Sequence, residues 1–409
     1  PKNMSTTGLI ASLADEIKQE IGNNSLGAGQ SHARLLQLID ELKLAVETPT
    51  ETILRLIYQP PENAALRTVV DLDIFLLLVS SEKPGGISAT ELAQQTKAER
   101  ELIIRLMRVV TSLGLCVSPE PEVYQATDKA IVMTQPIGRD GVPCIYDLTL
   151  PALSKLPEYL REHNYINPEE YSTSPMQWAV GKSQFEWLAE NKLDQARFNS
   201  YMSSRRDGKP SWYDVYPIER LTEGAVNHKD AIFLVDIGGN QGHDLGKLHA
   251  HYPTLPGRLI LQDLPKILLK VNKPGIECMG YSFLDPQPIK NARTYYFRAI
   301  FHDWPDRVCR KILLNTISAM NPEYSRIIIV DFVLPDTKVS RMQAAMDIQM
   351  MSIGAGVERS KKQWNDLLAS VGLKITGIWN CNPAMESVIE AVPLSEGSDS
   401  ITKTAKVSV

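Results

Sequence analysis

The sequence predicts an α/β catalytic domain, a doubly wound and mostly parallel sheet with one antiparallel strand, preceded by an N-terminal α-helical domain with a small β wing. Three observations predict it. From Ala231 onward, short apolar runs alternate with amphipathic helices, the pattern of successive βα units. The first of those runs ends in a glycine-rich turn that leads straight into a helix. The last two runs are joined only by Asn380–Glu386, too short for a crossover, so one of them must run antiparallel.

Taken in order, residues 1–65 read as a helical arm interrupted by the Gly/Ser/Asn-rich stretch Gly22–Ser31. Residues 66–135 read as a compact domain. Val69–Val79 is strongly apolar, Ser88-Ala-Thr-Glu91 is a capping box opening a short helix over Thr90–Thr96, and Glu99–Leu113 carries Leu102, Ile103, Leu106, Val109, Val110 and Leu113 at helical spacing. Leu115–Val117 and Val123–Ala126 then make a wing, giving a winged-helix pattern. Residues 136–225 read as connecting helices rich in aromatics. Strands of the catalytic domain (226–393) are expected at Ile232–Ile237, Arg258–Leu261, Ile276–Met279, Thr294–Phe301, Arg326–Asp331, Lys374–Trp379 and Ser387–Ala391. A mobile polar tail is expected over 394–409.

Composition narrows the function classes. A length of 409 residues points to more than one domain. The net charge of −5 and the excess of acids over bases between Arg67 and Lys129 argue against the winged helix reading a nucleic acid, since groove binding requires a basic footprint. No apolar stretch is long enough to span a bilayer, and Pro1–Leu9 shows no secretory signal. Cys116, Cys144, Cys278, Cys309 and Cys381 are scattered, without metal-ligand spacing, so free thiols in the cytoplasm and no bound metal are expected.

Two segments carry chemistry. In Val235-Asp-Ile-Gly-Gly-Asn-Gln-Gly-His243, Gly238, Gly239 and Gly242 allow a sharp turn and close approach of a ligand. Asp236 can receive a cationic amino group, and Asp263, 25 positions past the first glycine, suits ribose hydroxyls. This favours S-adenosylmethionine (SAM) over a dinucleotide; the bland alternative is a tight turn with a capping Asp. In Tyr295-Tyr-Phe-Arg-Ala-Ile-Phe-His-Asp-Trp-Pro-Asp306, His302 follows one strand end and Asp331 closes the next, where the ligand crevice of an open α/β sheet lies. Glu358 precedes a helix boxed by Ser360 and Gln363. Singly, Asp303 and Asp306 could cap a helix and Glu358 could favour a helix N-terminus; their co-occurrence with the glycine turn favours a reaction centre.

These motifs resemble those of the plant-type and fungal natural-product O-methyltransferases (caffeic-acid O-methyltransferase-like), from about Val69 to Val392. Asn240 stands where the third glycine of that pattern belongs, and asparagine tolerates positive φ. Ser282 stands where the family offers an Asp to adenine. The resemblance implies a Rossmann-like class I methyltransferase sheet and a homodimer through the winged-helix domain. It makes His302 the general base, with Asp331 and Glu358 orienting it. It places Ser282, Phe283, Arg298 and Trp304 at the cofactor and Asp303 beside the base. Phe198, Met202, Phe301, Met346 and Met350 would line the pocket for a small hydroxylated acceptor, with S-adenosylhomocysteine as co-product. The physics is consistent: a free phenol of pKa ~10 is mostly protonated at neutral pH, and an imidazole can take its proton during attack on the methyl group. Two rival readings remain: a pericyclase or cyclase that retains SAM on the same scaffold, and a DNA-binding regulator.

Overall fold

The computed structural model describes residues 5–22, 30–269, 271–382 and 385–394. The expected tail beyond Leu394, and residues 23–29 of the expected Gly/Ser/Asn interruption, lie outside the described residues. The chain forms two compact units, one built chiefly from Arg34–Pro168 and Ser172–Lys209, the other from Glu169–Tyr171 and Pro210 onward. The 136–225 stretch is therefore divided between them.

Four helices open the chain: Thr6–Gly22, Gln30–Val46, Pro49–Ile57 and Gln59–Asp71. The apolar run Val69–Val79 is not one element. Asp73 sits in the left-handed region (φ 51°) and splits it into the end of Gln59–Asp71 and the short helix Ile74–Val79. Ser88 caps Ala89–Thr96, its hydroxyl accepting from Glu91 N–H while Glu91 returns to Ser88 N–H. Arg100–Ser112 presents Ile103, Met107 and Val110 to a core with Val69, Ile74, Phe75 and Leu92. The hairpin strands Cys116–Glu120 and Val123–Ala126 gain a third, antiparallel partner in Ile87–Ser88.

In the second unit seven strands form one sheet: β1 (Ile232–Ile237), β2 (Arg258–Asp263), β3 (Ile276–Gly280), β4 (Thr294–Arg298), β5 (Arg326–Asp331), β6 (Leu373–Trp379) and β7 (Ser387–Pro393). Their order is β3-β2-β1-β4-β5-β7-β6. β1 to β5 pair in parallel, and β7 runs antiparallel to both β5 and β6. The central strands are continuously apolar because both faces are covered. Val235, Ile237, Tyr295, Phe297, Ile327 and Ile329 pack into one core, while Leu234, Tyr296, Ile328 and Val330 pack into the other. Four helices matter for the site: α1 (His243–His251), α2 (Asp306–Ile317), α3 (Arg341–Gly354) and α4 (Lys361–Ala369).

One strand is shorter than its apolar pattern. The strand expected over Thr294–Phe301 ends at Arg298. Ala299 N–H still reaches Val330 O (3.0 Å), but its φ of 50° turns the chain off the sheet, and Phe301–Asp303 closes into a 3₁₀ turn. On β7 the wholly buried Glu390 accepts from Arg220 (2.8 and 3.0 Å), Arg326 (2.7 Å) and the hydroxyls of Tyr216 and Thr376, joining four segments of this unit.

Candidate active site

The glycine turn follows β1, the strand flanked in parallel by β2 and β4. Gly238 (φ 74°), Asn240 (φ 53°) and Gly242 (φ 66°) are all left-handed, so the turn needs residues that tolerate that region. Around Gly239 the need is space: a Cβ there would lie 2.4 Å from Asp236 Oδ2 and 2.5 Å from Leu261 Cδ1. Asp236 is 2% exposed at the end of β1. At the end of β2, Asp263 accepts the Asn240 N–H through Oδ2 (2.8 Å) and its neighbour Leu264 N–H through Oδ1 (2.7 Å). Burial pushes its carboxyl above the ordinary range, against those two N–H bonds.

Beside this turn lie the other residues expected at the cofactor. A Cβ on Gly238 would meet Ile300 Cδ1 at 2.7 Å and Phe283 at 3.8 Å. Phe283 in turn stands edge-to-face with Trp304 (6.1 Å between centroids). Ile300 and Trp304 bracket the 3₁₀ turn that carries His302, so the two motifs converge through packed side chains. Ser282 Oγ accepts the Leu284 N–H (3.3 Å). Arg298 is occupied by protein: it pairs with Asp244 on α1 (2.9 Å) and with Glu386 (2.5 Å), tying the end of β4 to the helix behind the glycine turn.

At the second motif the structure brings His302, Asp303, Asp331 and Glu358 together. Glu358 Oε1 lies 2.9 Å from His302 Nδ1. Asp331 Oδ2 accepts the His302 backbone N–H (3.2 Å), its Oδ1 accepts the Phe332 N–H (3.1 Å), and that oxygen is also 3.8 Å from Nδ1. On the other side of the ring Asp303 Oδ1 is 3.6 Å from Nε2, beyond hydrogen-bond reach. The imidazole is 16% exposed; the Asp331 and Glu358 side chains are each 1% exposed. Nδ1 is thus committed to the protein, and Nε2 is the nitrogen that can meet a ligand.

The electrostatics follow from that enclosure. Burial by itself would lower the imidazole pKa, but the carboxylates of Asp331, Asp303 and Glu358 outweigh it and push His302 up to about 10. Burial raises Asp331 to about 7 in spite of the neighbouring imidazolium. Asp303 is raised for the same reason. The ligand-type atoms of His302, Asp331 and Glu358 lie within 4.8 Å of one another, a spacing a cation could also use. The 2.9 Å contact of Nδ1 with Glu358 has the length of an N–H donated to a carboxylate.

The residues expected to line an acceptor pocket belong to both units. Phe301 is wholly buried between Phe297 (5.0 Å) and Trp364 (6.0 Å), supporting the turn from within the core. Met346 and Met350 are on α3, half-buried and buried. Phe198 and Met202 are half-buried on the helix Lys192–Ser204 of the first unit. Asp306 does not cap α2 with its side chain; it receives Arg359 instead.

Sequence reasoning missed several contributors. Asp347 on α3 accepts the Glu358 N–H (2.8 Å), Arg359 holds carbonyls around the His302 turn, and Tyr171 stacks at a tilt on Trp304 (5.7 Å). Arg359 alone carried a readable hint, a cation directly after the candidate glutamate.

Comparison with known proteins identifies the family. Residues 168–374 match the O-methyltransferase domain and residues 60–136 the O-methyltransferase dimerisation domain. The chain is 32% identical over 391 residues to the methyltransferase cfoC of Aspergillus candidus (93% of this chain, 96% of that one). It is 34% identical over 359 residues to demethylsterigmatocystin 6-O-methyltransferase of Aspergillus parasiticus (87% of this chain, 91% of that one). Among solved structures, LepI in complex with SAM has a TM-score of 0.82 at 29% identity, covering 96% of this chain and 100% of that one. A protein described as a pericyclic reaction enzyme has a TM-score of 0.81 at 29% identity, covering 94% and 99%. With both domains matched and relatives aligned along nearly their whole length, the chain belongs to the SAM-dependent O-methyltransferase family.

Proposed function

We propose that this chain methylates a phenolic or enolic hydroxyl of a small secondary metabolite, with His302 as general base. The observation that carries the proposal is the fixed imidazole: Nδ1 held by Glu358 at 2.9 Å, backbone N–H held by Asp331, Nε2 left for the acceptor. The residues present fit SAM. The turn at Gly239 leaves a cradle that a Cβ would fill, buried Asp236 suits an ammonium group, and Asp263 keeps lone pairs for ribose hydroxyls beyond its two N–H bonds. Phe283 and Trp304 offer aromatic edges beside that cradle. When bound, SAM supplies an electrophilic methyl group on a sulfonium. The chain's own task is to place the hydroxyl and accept its proton at Nε2, leaving the imidazolium between Asp303 and the Glu358–Asp331 pair.

His302→Ala is expected to bind SAM as before and to lose turnover by about a hundredfold or more. S-adenosylhomocysteine release with a panel of hydroxylated acceptors reads the loss, and calorimetry reads the cofactor. Full activity in that variant would remove the base assignment. A second reading, rearrangement with SAM retained, is favoured by the similarity to a pericyclic reaction enzyme. Product mass separates the two: one added methyl group with S-adenosylhomocysteine, or an isomer with SAM unchanged. The dimerisation-domain match supports a homodimer, and the acid-rich 67–129 segment supports a protein rather than a nucleic-acid partner there. Five free cysteines support a reducing, cytoplasmic setting. Among the described residues no helix is long and apolar enough to cross a membrane.

A further inference from the structure

We propose that Arg359 is the positioning residue of the catalytic turn: its guanidinium braces the carbonyls on either side of His302 and so sets where Nε2 points. This rests on His302 being the base.

The turn needs a brace. It begins two residues after Ala299, whose left-handed φ of 50° is strained for an L-residue and persists only where surrounding structure enforces it. Phe301–Asp303 is a single 3₁₀ turn, a geometry with poorer hydrogen bonds than an α-helix. The Phe301 and His302 carbonyls, and that of Trp304 just after it, need donors.

The segment 356–359 supplies those donors in sequence. Gly356 allows the approach: a Cβ there would sit 2.3 Å from His302 O. Val357 N–H donates to His302 O (2.9 Å). The Glu358 side chain takes Nδ1. Arg359 then donates Nη1–H to Phe301 O (2.7 Å) and Nη2–H to Trp304 O (2.8 Å). Its Nε–H and Nη2–H are held by Asp306 Oδ1 (2.9 and 2.8 Å), the first residue of α2. The carbonyls before and after the His302–Asp303 pair therefore hang from one planar fork.

The guanidinium is 1% exposed, so its burial requires these partners, and it lies 5.4 Å from the Trp364 ring centroid. Only arginine matches the task. A lysine ammonium is a point charge on a flexible stem and cannot bridge two carbonyls and a carboxylate in one plane. Glu358 and Arg359 are adjacent, so one strand of chain fixes both the ring and the turn beneath it.

The test uses Arg359→Lys in the full-length protein. It is expected to bind SAM within about threefold of the parent, keep the acceptor KM within a similar factor, and lose kcat by about a hundredfold, the penalty of a reacting group displaced by about 1 Å. The readout a scaffold role would not move is the imidazole itself. By ¹⁵N NMR titration without acceptor, the His302 midpoint is expected to fall by a pH unit or more as Nδ1 loosens from Glu358. If Arg359→Lys does not fold, Asp306→Ala carries the same test more mildly, since that side chain is 49% exposed. A kcat within twofold of the parent together with an unmoved His302 midpoint overturns the proposal. Full activity of His302→Ala instead overturns the base assignment on which it rests, so the two failures are distinguishable.

Discussion

Replacing Asp331 by Asn should make the enzyme's rate less dependent on alkali, and the size of the effect follows from one distance. Asp331 Oδ1 lies 3.8 Å from His302 Nδ1, with both groups enclosed. Two unit charges at that separation interact by about 4 kcal/mol at an effective dielectric of about 20, equivalent to roughly three pH units. Asparagine keeps an oxygen for the His302 backbone N–H but removes that charge. The His302 midpoint should then fall from about 10 toward roughly 7. The comparison applies above the point, about 7, where Asp331 itself is ionised in the parent.

A neutral imidazole is required to accept a proton, so kcat/KM in the parent should climb toward pH 10, while in Asp331→Asn it should level near neutrality at a lower plateau, because the base is weaker. From pH 7 to pH 10 the ratio of variant to parent should fall by roughly two hundredfold, the change in relative neutral fraction. Acceptor ionisation is the same for both enzymes and cancels from the ratio, which S-adenosylhomocysteine release measures at saturating SAM. The same proton is linked to folding. Because the folded pKa of His302 is raised, its stabilisation is complete below its unfolded value, ~6.5, and is lost as pH rises through about 10; in the variant it should be lost nearer neutrality. A ratio that is flat from pH 7 to 10 would refute the reasoning, because Asp331 would then not govern the base.

Two further expectations concern the cofactor and the scaffold. Asp263→Ala should weaken SAM binding by about tenfold or more, the loss of one charge-assisted hydrogen bond, and should also free the Asn240 N–H; an unchanged dissociation constant by calorimetry would end the ribose assignment. Glu390→Ala should destabilise the second unit by about 3 kcal/mol, because Arg220 and Arg326 would face each other without their shared carboxylate. Thermal melting checks this, and an unmoved midpoint would show that the network contributes nothing net.

Most of the catalytic sheet could be read from the chain because both of its faces are buried: β1 and β5 lie at Ile232–Ile237 and Arg326–Asp331, where the apolar runs stand. Caps were equally legible, since Ser88 with Glu91 and Ser360 with Gln363 satisfy local N–H groups by side chains in the same few residues. What escaped was decided by partners distant in sequence. Tyr295-Tyr-Phe-Arg-Ala-Ile-Phe301 reads as one strand, but its continuation is broken at Ala299 by a backbone rotation for which alanine gives no signal. Asp73 breaks Val69–Val79 in the same way. Phe301 read as pocket lining only through the family resemblance; in the structure its ring is buried against Phe297 and Trp364. Arg359 and Asp347 act on backbone groups, and a backbone acceptor has no letter in the sequence.

The choice between methyl transfer and rearrangement can be argued from what the site costs. Asp331 and Glu358 are both 1% exposed. Glu358 Oε2 is buried without a hydrogen-bond partner among the described residues, a deficit of about 1–3 kcal/mol. Three acids around one imidazole oppose folding through burial and mutual repulsion, and Asp331 is raised to about 7 as a result. A pericyclic reaction moves electrons around a ring and needs no group to accept a proton. A hydroxyl becoming an ether must lose one. Glu358 and Asp331 hold the imidazole in place for that task, with Nε2 turned away from both. A site that commits two buried acids to orienting a proton acceptor favours O-methylation on this scaffold.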